Sequence, residues 1–90
     1  MTRVITRTST FKKDYKRMQK RGVVMERLFA LIQFLIEGKK LEDRHRDHLL
    51  HGDYEGNREC HVEPDWLLIY TITEKELGLT RTGTHSDLFK

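Results

Sequence analysis

Apolar residues recur along the chain with two different periods, and the change between them organises it. Near the start, Thr2 to Thr6 alternate weakly around Val4 and Ile5, which predicts a short first strand. Thr8, Ser9 and Thr10 are N-cap candidates, and Phe11, Tyr15 and Met18 then recur at i, i+4 and i+7 with Lys and Arg between them. That spacing predicts an amphipathic helix ending near Gly22. From about Val24 to Glu37 the period stays helical. Met25, Leu28, Phe29, Ile32, Leu35 and Ile36 form the predicted core stripe, Leu31 widens it, and Gly38 stops it. A polar, histidine-rich stretch follows from Leu41 to Asn57, with turn signals at Gly52 and at Glu55-Gly56-Asn57. The period then shortens to two. Arg58 to Glu63, Trp66 to Thr73 and Leu77 to Thr82 read as three strands, with a turn at Pro64-Asp65 and a hairpin at Thr73 to Glu76. The second of them, WLLIYTIT, is apolar on both faces and therefore central. The order βααβββ predicts an α+β fold over residues 1–90, with two N-terminal helices packed on a mainly antiparallel four-stranded sheet.

Composition narrows the function classes. Hydrophobic residues are 37% of the 90, enough for one core, while the length leaves no room for a second core or a large enclosed cofactor cavity. The lone Cys60 excludes a disulfide framework and a Cys-rich zinc site. No secretory signal is visible in MTRVITRTST, and the longest apolar-rich window, Leu28 to Ile36, falls far short of the ~20 residues of a membrane span. A soluble cytoplasmic protein with no membrane partner is the expectation.

The formal charge of +3 conceals an asymmetry: Met1 to Arg27 carries +7 and Leu28 to Lys90 carries −4. Most of the excess falls on the first predicted helix, at Lys12, Lys13, Lys16, Arg17, Lys20 and Arg21. A basic face of this kind is a candidate surface for RNA phosphates, although a solvated helix face, DNA or an acidic protein would fit the charge alone.

Five histidines, His45, His48, His51, His61 and His85, all fall late in the chain. Histidine exchanges protons near neutral pH, so a cluster points to acid–base work or to metal binding. On a helix His45, His48 and His51 would drift by about 60° per step and would not converge on one ion. His61-Val62-Glu63 matches the His-x-Glu of zinc deaminases but lacks the later Pro-Cys-x-x-Cys that motif requires. No metal site is expected. Acid–base chemistry fits better: His61 lies in a strand, Asp65 at the next turn, Arg81 in the last strand, and His85 after the flexible Thr82-Gly83-Thr84.

RDHLLHG at 46–52, HVEPDWLLIY at 61–70 and RTGTHSDLF at 81–89 together resemble the YafQ branch of the RelE superfamily, bacterial type II toxin–antitoxin ribonucleases. The resemblance covers nearly the whole chain, including its length and its βααβββ order. It implies a RelE-like microbial ribonuclease fold and cleavage of mRNA in the decoding site of the small ribosomal subunit, with no metal or cofactor. It further implies a cognate antitoxin partner, and contact with operator DNA only through the complex with that antitoxin. Carried over by position, the implied functional residues are His48, His61, Asp65, Arg81, His85 and Phe89. Some relatives have proline after the first of these histidines, where this chain has Leu49. His45 and His51 match no functional position and are expected on the surface. Trp66 and Tyr70 are expected in the core.

These residue types suit metal-free RNA cleavage. The ribose 2′-hydroxyl is the nucleophile. A base removes its proton, and an acid protonates the departing 5′-oxygen, leaving a 2′,3′-cyclic phosphate. His85 is the candidate acid, and His48, His61 or Asp65 the candidate base. Arg81, with Arg58 as second choice, would meet the charge growing on the phosphate. Phe89 would either stack on a base or pack the tail down. The competing class is a non-catalytic RNA- or ribosome-binding module that blocks translation by occupancy, and a metal-dependent nuclease is the third.

Overall fold

The computed structural model describes residues 3–89; Thr2, part of the predicted first strand, lies outside them. The elements run β1 (Val4–Arg7), α1 (Ser9–Lys20), α2 (Met25–Ile36), β2 (His48–Leu49), β3 (Arg58–Glu63), β4 (Trp66–Ile72), β5 (Glu76–Gly83) and α3 (His85–Leu88). Two short 3-10 turns, Asp43–His45 and Gly52–Tyr54, break the histidine-rich stretch. The fold is α+β as anticipated, with two differences. The sheet has five strands in the order β1-β5-β4-β3-β2, because His48 and Leu49 pair with Glu59 and Arg58 instead of remaining loop. The segment from His85 to Leu88, for which no element is predicted, is a short helix. β1 runs parallel to β5, and the other neighbours are antiparallel.

The two sheet faces bury different things. Trp66, Leu68 and Tyr70 of β4 meet Phe11 and Met18 of α1 and Leu28, Leu31, Leu35 and Ile36 of α2. Each such leucine, fully buried, contributes about 1.5–3 kcal/mol. Leu67 and Ile69 point the other way, into a smaller cluster with Leu88, Leu50 and Tyr54. β4 is therefore covered on both sides, as its unbroken apolar run predicts. In α2 the buried stripe runs through Leu28, Leu31 and Leu35, while Phe29 is 48% exposed and stacks on Tyr15. Leu31 is thus core, and Phe29 leaves the predicted stripe.

Thr8 and Asp14 satisfy the edge of β5 where β1 ends. Thr8 Oγ1 caps α1 by accepting from Phe11 N at 2.9 Å and donates to Thr80 O at 2.7 Å, and Thr8 N donates to Leu79 O at 3.1 Å. Past that point Asp14 Oδ2 accepts from Thr82 N at 3.2 Å. α1 closes at Gly22, whose φ of +77° is a conformation that glycine adopts without a side-chain clash.

Candidate active site

Two irregularities aim the site. In β5 Leu79 lies opposite Tyr70 and Arg81 opposite Ile69, so Thr80 is an extra residue. Strict alternation would send Arg81 the same way as Leu77 and Leu79, into the helix-side core. The bulge turns it onto the opposite face, beside Ile69. A second shift lies between His61 and Glu63, at the end of β3 before the Pro64-Asp65 turn. On the face away from α1 and α2, Glu59, Ile69 and Arg81 form one row across the strands, and His61, Leu67 and Gly83 form the next.

His85 is the first residue of α3. Its backbone N donates to Asp65 Oδ1 at 3.0 Å, and its ring Nδ1 donates to the same oxygen at 2.7 Å. These hydrogen bonds from His85 hold the Asp65 carboxyl below its usual range, so it stays ionised. With Nδ1 engaged, Nε2 is left as the second exchangeable position of the ring. The His61 ring stands 5.7 Å from that of His85, the Phe89 ring 6.5 Å from it, and Tyr54 meets Phe89 edge-on at 5.7 Å. The structure thus brings His61, Asp65, His85 and Phe89 together, although they are spread over the last third of the chain. Phe89 is 43% exposed, so its packing on Tyr54 leaves ring surface open.

His48 joins this group through Glu59. Its Nδ1 donates to Arg46 O at 2.7 Å, and its Nε2 lies 3.7 Å from Glu59 Oε1, which is 3.6 Å from His61 Nε2. Glu59 is buried, so one carboxylate serves both imidazoles. The alternation of β3 puts Glu59 on the same face as His61, a signal present in the sequence but overshadowed by the histidines. His45, expected on the surface, is half-buried, and its Nδ1 donates to the His61 carbonyl at 2.7 Å. It fastens the histidine-rich loop to β3. His51 is exposed as expected.

Arg81 is held by a residue that sequence reasoning passed over. Its Nε and Nη2 make a bidentate pair with Asp14 at 2.8 and 2.9 Å, and Nη1 reaches the Tyr54 hydroxyl at 3.3 Å. The Asp14 hydrogen bonds raise the pKa of the guanidinium further. Asp14 is fully buried and also pairs with Arg17. The available signal was its place at i+3 in the stripe Phe11, Asp14, Met18: a charge on an apolar helix face implies a buried partner. Arg58, the second guanidinium candidate, pairs instead with Asp47, which also accepts from Tyr70 Oη at 2.5 Å.

The basic face of α1 divides in two. Lys12, Lys13, Lys16 and Lys20 are exposed. Arg17 and Arg21 are engaged by carboxylates, Arg17 by Asp14 and Asp87, and Arg21 by Asp87. Of the six residues predicted to face phosphates, the four lysines are exposed, and the two arginines, Arg21 itself exposed, are paired with carboxylates. Among the described residues, no three His, Cys, Asp or Glu side chains are arranged to hold a metal ion. No helix among them is long and apolar enough to cross a membrane.

A cluster of histidines and carboxylates on the sheet face away from α1 and α2 defines a small α+β protein with a candidate site. The chain belongs to the YafQ family of bacterial toxins of type II toxin–antitoxin systems, whose family model matches residues 3–90. It is 44% identical to the mRNA interferase toxin YafQ of Escherichia coli K12 over 88 residues, 97% of this chain and 96% of the relative. Its structure is similar to that of YafQ in the E. coli DinJ-YafQ toxin–antitoxin complex, with a TM-score of 0.91 and 43% identity over the whole of both chains. It is also similar to a metal-bound toxin from Helicobacter pylori, with a TM-score of 0.88 and 37% identity over 99% of this chain and 100% of that one.

Proposed function

We propose that this toxin is an mRNA endoribonuclease that acts on translating ribosomes by metal-independent attack of the 2′-hydroxyl. The observation that carries the reading is the Asp65–His85 pair with the His61 ring 5.7 Å from the His85 ring. His85 Nε2 protonates the departing 5′-oxygen, and Asp65, already accepting two hydrogen bonds from His85, orients the ring. The base is then His61 or His48, whose Nε2 atoms lie 3.6 and 3.7 Å from Glu59 Oε1. Arg81, held in place by Asp14, meets the charge developing on the phosphate, and a preorganised guanidinium costs no reorganisation at that moment. The exposed surface of the Phe89 ring stacks on a nucleobase.

The chemistry has a direct test. A message carrying a single 2′-deoxyribose on the 5′ side of the cleaved bond remains intact on ribosomes, and the unmodified message yields a 5′ fragment ending in a 2′,3′-cyclic phosphate. Cleavage of the deoxy-substituted message overturns the reading in favour of hydrolysis by an activated water.

The exposed lysines of α1 supply the electrostatic part of ribosome binding in the cytoplasm. Changing Lys12, Lys13, Lys16 and Lys20 together to Gln weakens binding and lowers the slope of log affinity against log salt by roughly 3. Sedimentation of labelled protein with ribosomes over a salt series measures that slope, and an unchanged slope removes the lysines from the interface. The solved complex of the E. coli relative with DinJ supports a cognate antitoxin as the protein partner here. Contact with operator DNA through such a complex is implied by the family resemblance alone.

A further inference from the structure

His85 stands on a helix of four residues, and a single turn does not hold itself in place. The anchor is Asp87, which takes no part in the proton exchange described above. Its Oδ2 accepts from Thr84 N at 2.9 Å while Thr84 Oγ1 accepts from Asp87 N at 3.2 Å, a reciprocal capping box. The same carboxylate receives a bidentate fork from Arg21, Nη1 to Oδ2 at 2.6 Å and Nη2 to Oδ1 at 3.0 Å, and Arg17 Nη1 lies 3.3 Å from Oδ1. The Arg21 hydrogen bonds hold the Asp87 carboxyl far below the usual range. Gly83 permits the close approach: a Cβ there would stand 3.0 Å from the Asp87 Cβ. Arg17 in turn pairs with Asp14, which holds Arg81. Arg21, Asp87, Arg17, Asp14 and Arg81 thus form one alternating row of charges from the outer face of α1 to the site.

We infer that Asp87 is a positioning residue for His85, and that Arg17 and Arg21 serve the site as anchors of α3 instead of as contacts to RNA. The inference rests on the acid–base reading of His85. Isolated exposed ion pairs contribute little, but this carboxylate is only 11% exposed and bidentately held, and it is shared by a cap and two arginines. Its effect falls on geometry. An acid displaced by about 1 Å can lose up to ~10²-fold in rate.

The test separates rate from binding. Single-turnover cleavage of a programmed ribosomal complex is followed over a range of toxin concentration for wild type, Asp87→Ala, Arg21→Ala and Asp87→Glu. The first two variants lower the limiting rate by at least about tenfold at an unchanged half-saturating concentration. Asp87→Glu retains most of the rate, because glutamate is the usual partner in a capping box and keeps the charge. Arg21→Ala that raises the half-saturating concentration at an unchanged limiting rate makes Arg21 an RNA contact and overturns the inference. A second measurement uses the free protein. In Asp87→Ala, amide exchange protection is lost over residues 84–89 and kept in β4, and the His85 ring resonances shift. Unchanged resonances and protection there also overturn the inference. If the wild type cleaves no message, the proposed nuclease function fails, and the anchor is judged on these spectra alone.

Discussion

His85→Ala lowers the first-order rate of message cleavage by about 10²–10⁴-fold, the usual contribution of one positioned acid or base. Ribosome binding changes little, because the lysines of α1 lie on an element outside the cluster. The partner substitution gives a sharper outcome. Asp65 contacts His85 by both a backbone and a ring hydrogen bond, so Asp65→Ala also slows cleavage. The double variant then loses scarcely more than His85→Ala alone, since groups that act as a unit are strongly non-additive. Primer extension on translated message, with the four proteins side by side, measures both effects. Full cleavage by His85→Ala moves the acid to another residue. Toxicity retained without cleavage supports the occupancy reading.

Asp14→Ala destabilises the fold by about 3–5 kcal/mol, the cost of breaking a buried ion pair from one side. The carboxylate is fully buried and serves the Arg81 fork, Arg17 and the Thr82 amide, and alanine leaves all of them without that acceptor. Against a total stability of roughly 5–15 kcal/mol, that loss brings a small protein close to unfolding. Urea titration checks it, read as a midpoint shift at constant slope. Asp14→Asn keeps an acceptor for Thr82 N and loses only the ionic part, so its midpoint falls between the two. A midpoint within about 1 kcal/mol of wild type for Asp14→Ala would show that solvent replaces the carboxylate without penalty.

The elements were legible wherever hydrophobic period dominates. α1, α2 and β3 to β5 stand within a residue or two of their predicted limits, and β4 is central for the reason its apolar run suggests. The missed features are those that tertiary contacts create. β2 exists because His48 and Leu49 have an edge of β3 to pair with, and two residues carry no period of their own. α3 depends on a capping box between Thr84 and Asp87, a pattern visible in the sequence but too short to register as periodicity. The histidine and carboxylate cluster followed from motif resemblance joined to strand assignment. His45 and Asp14 did not, since each gains its role from a partner in another element, His61 for the one and Arg81 for the other, while Glu59 was legible from the alternation of β3. Arg81 was assigned to the site, yet simple alternation from Leu77 and Leu79 points it into the core, and only the bulge at Thr80 reconciles the two.

β1 lies beside β5, with Val4 opposite Glu76, and Asp14 meets Arg81. The opening residues of the chain therefore have no sheet to join until nearly the last residues have been made. Contacts of such long sequence separation form late and slowly. His61 likewise has no His85 ring beside it until β4, β5 and the first residue of α3 have been made. The cluster is therefore complete only after most of the polypeptide has been synthesised.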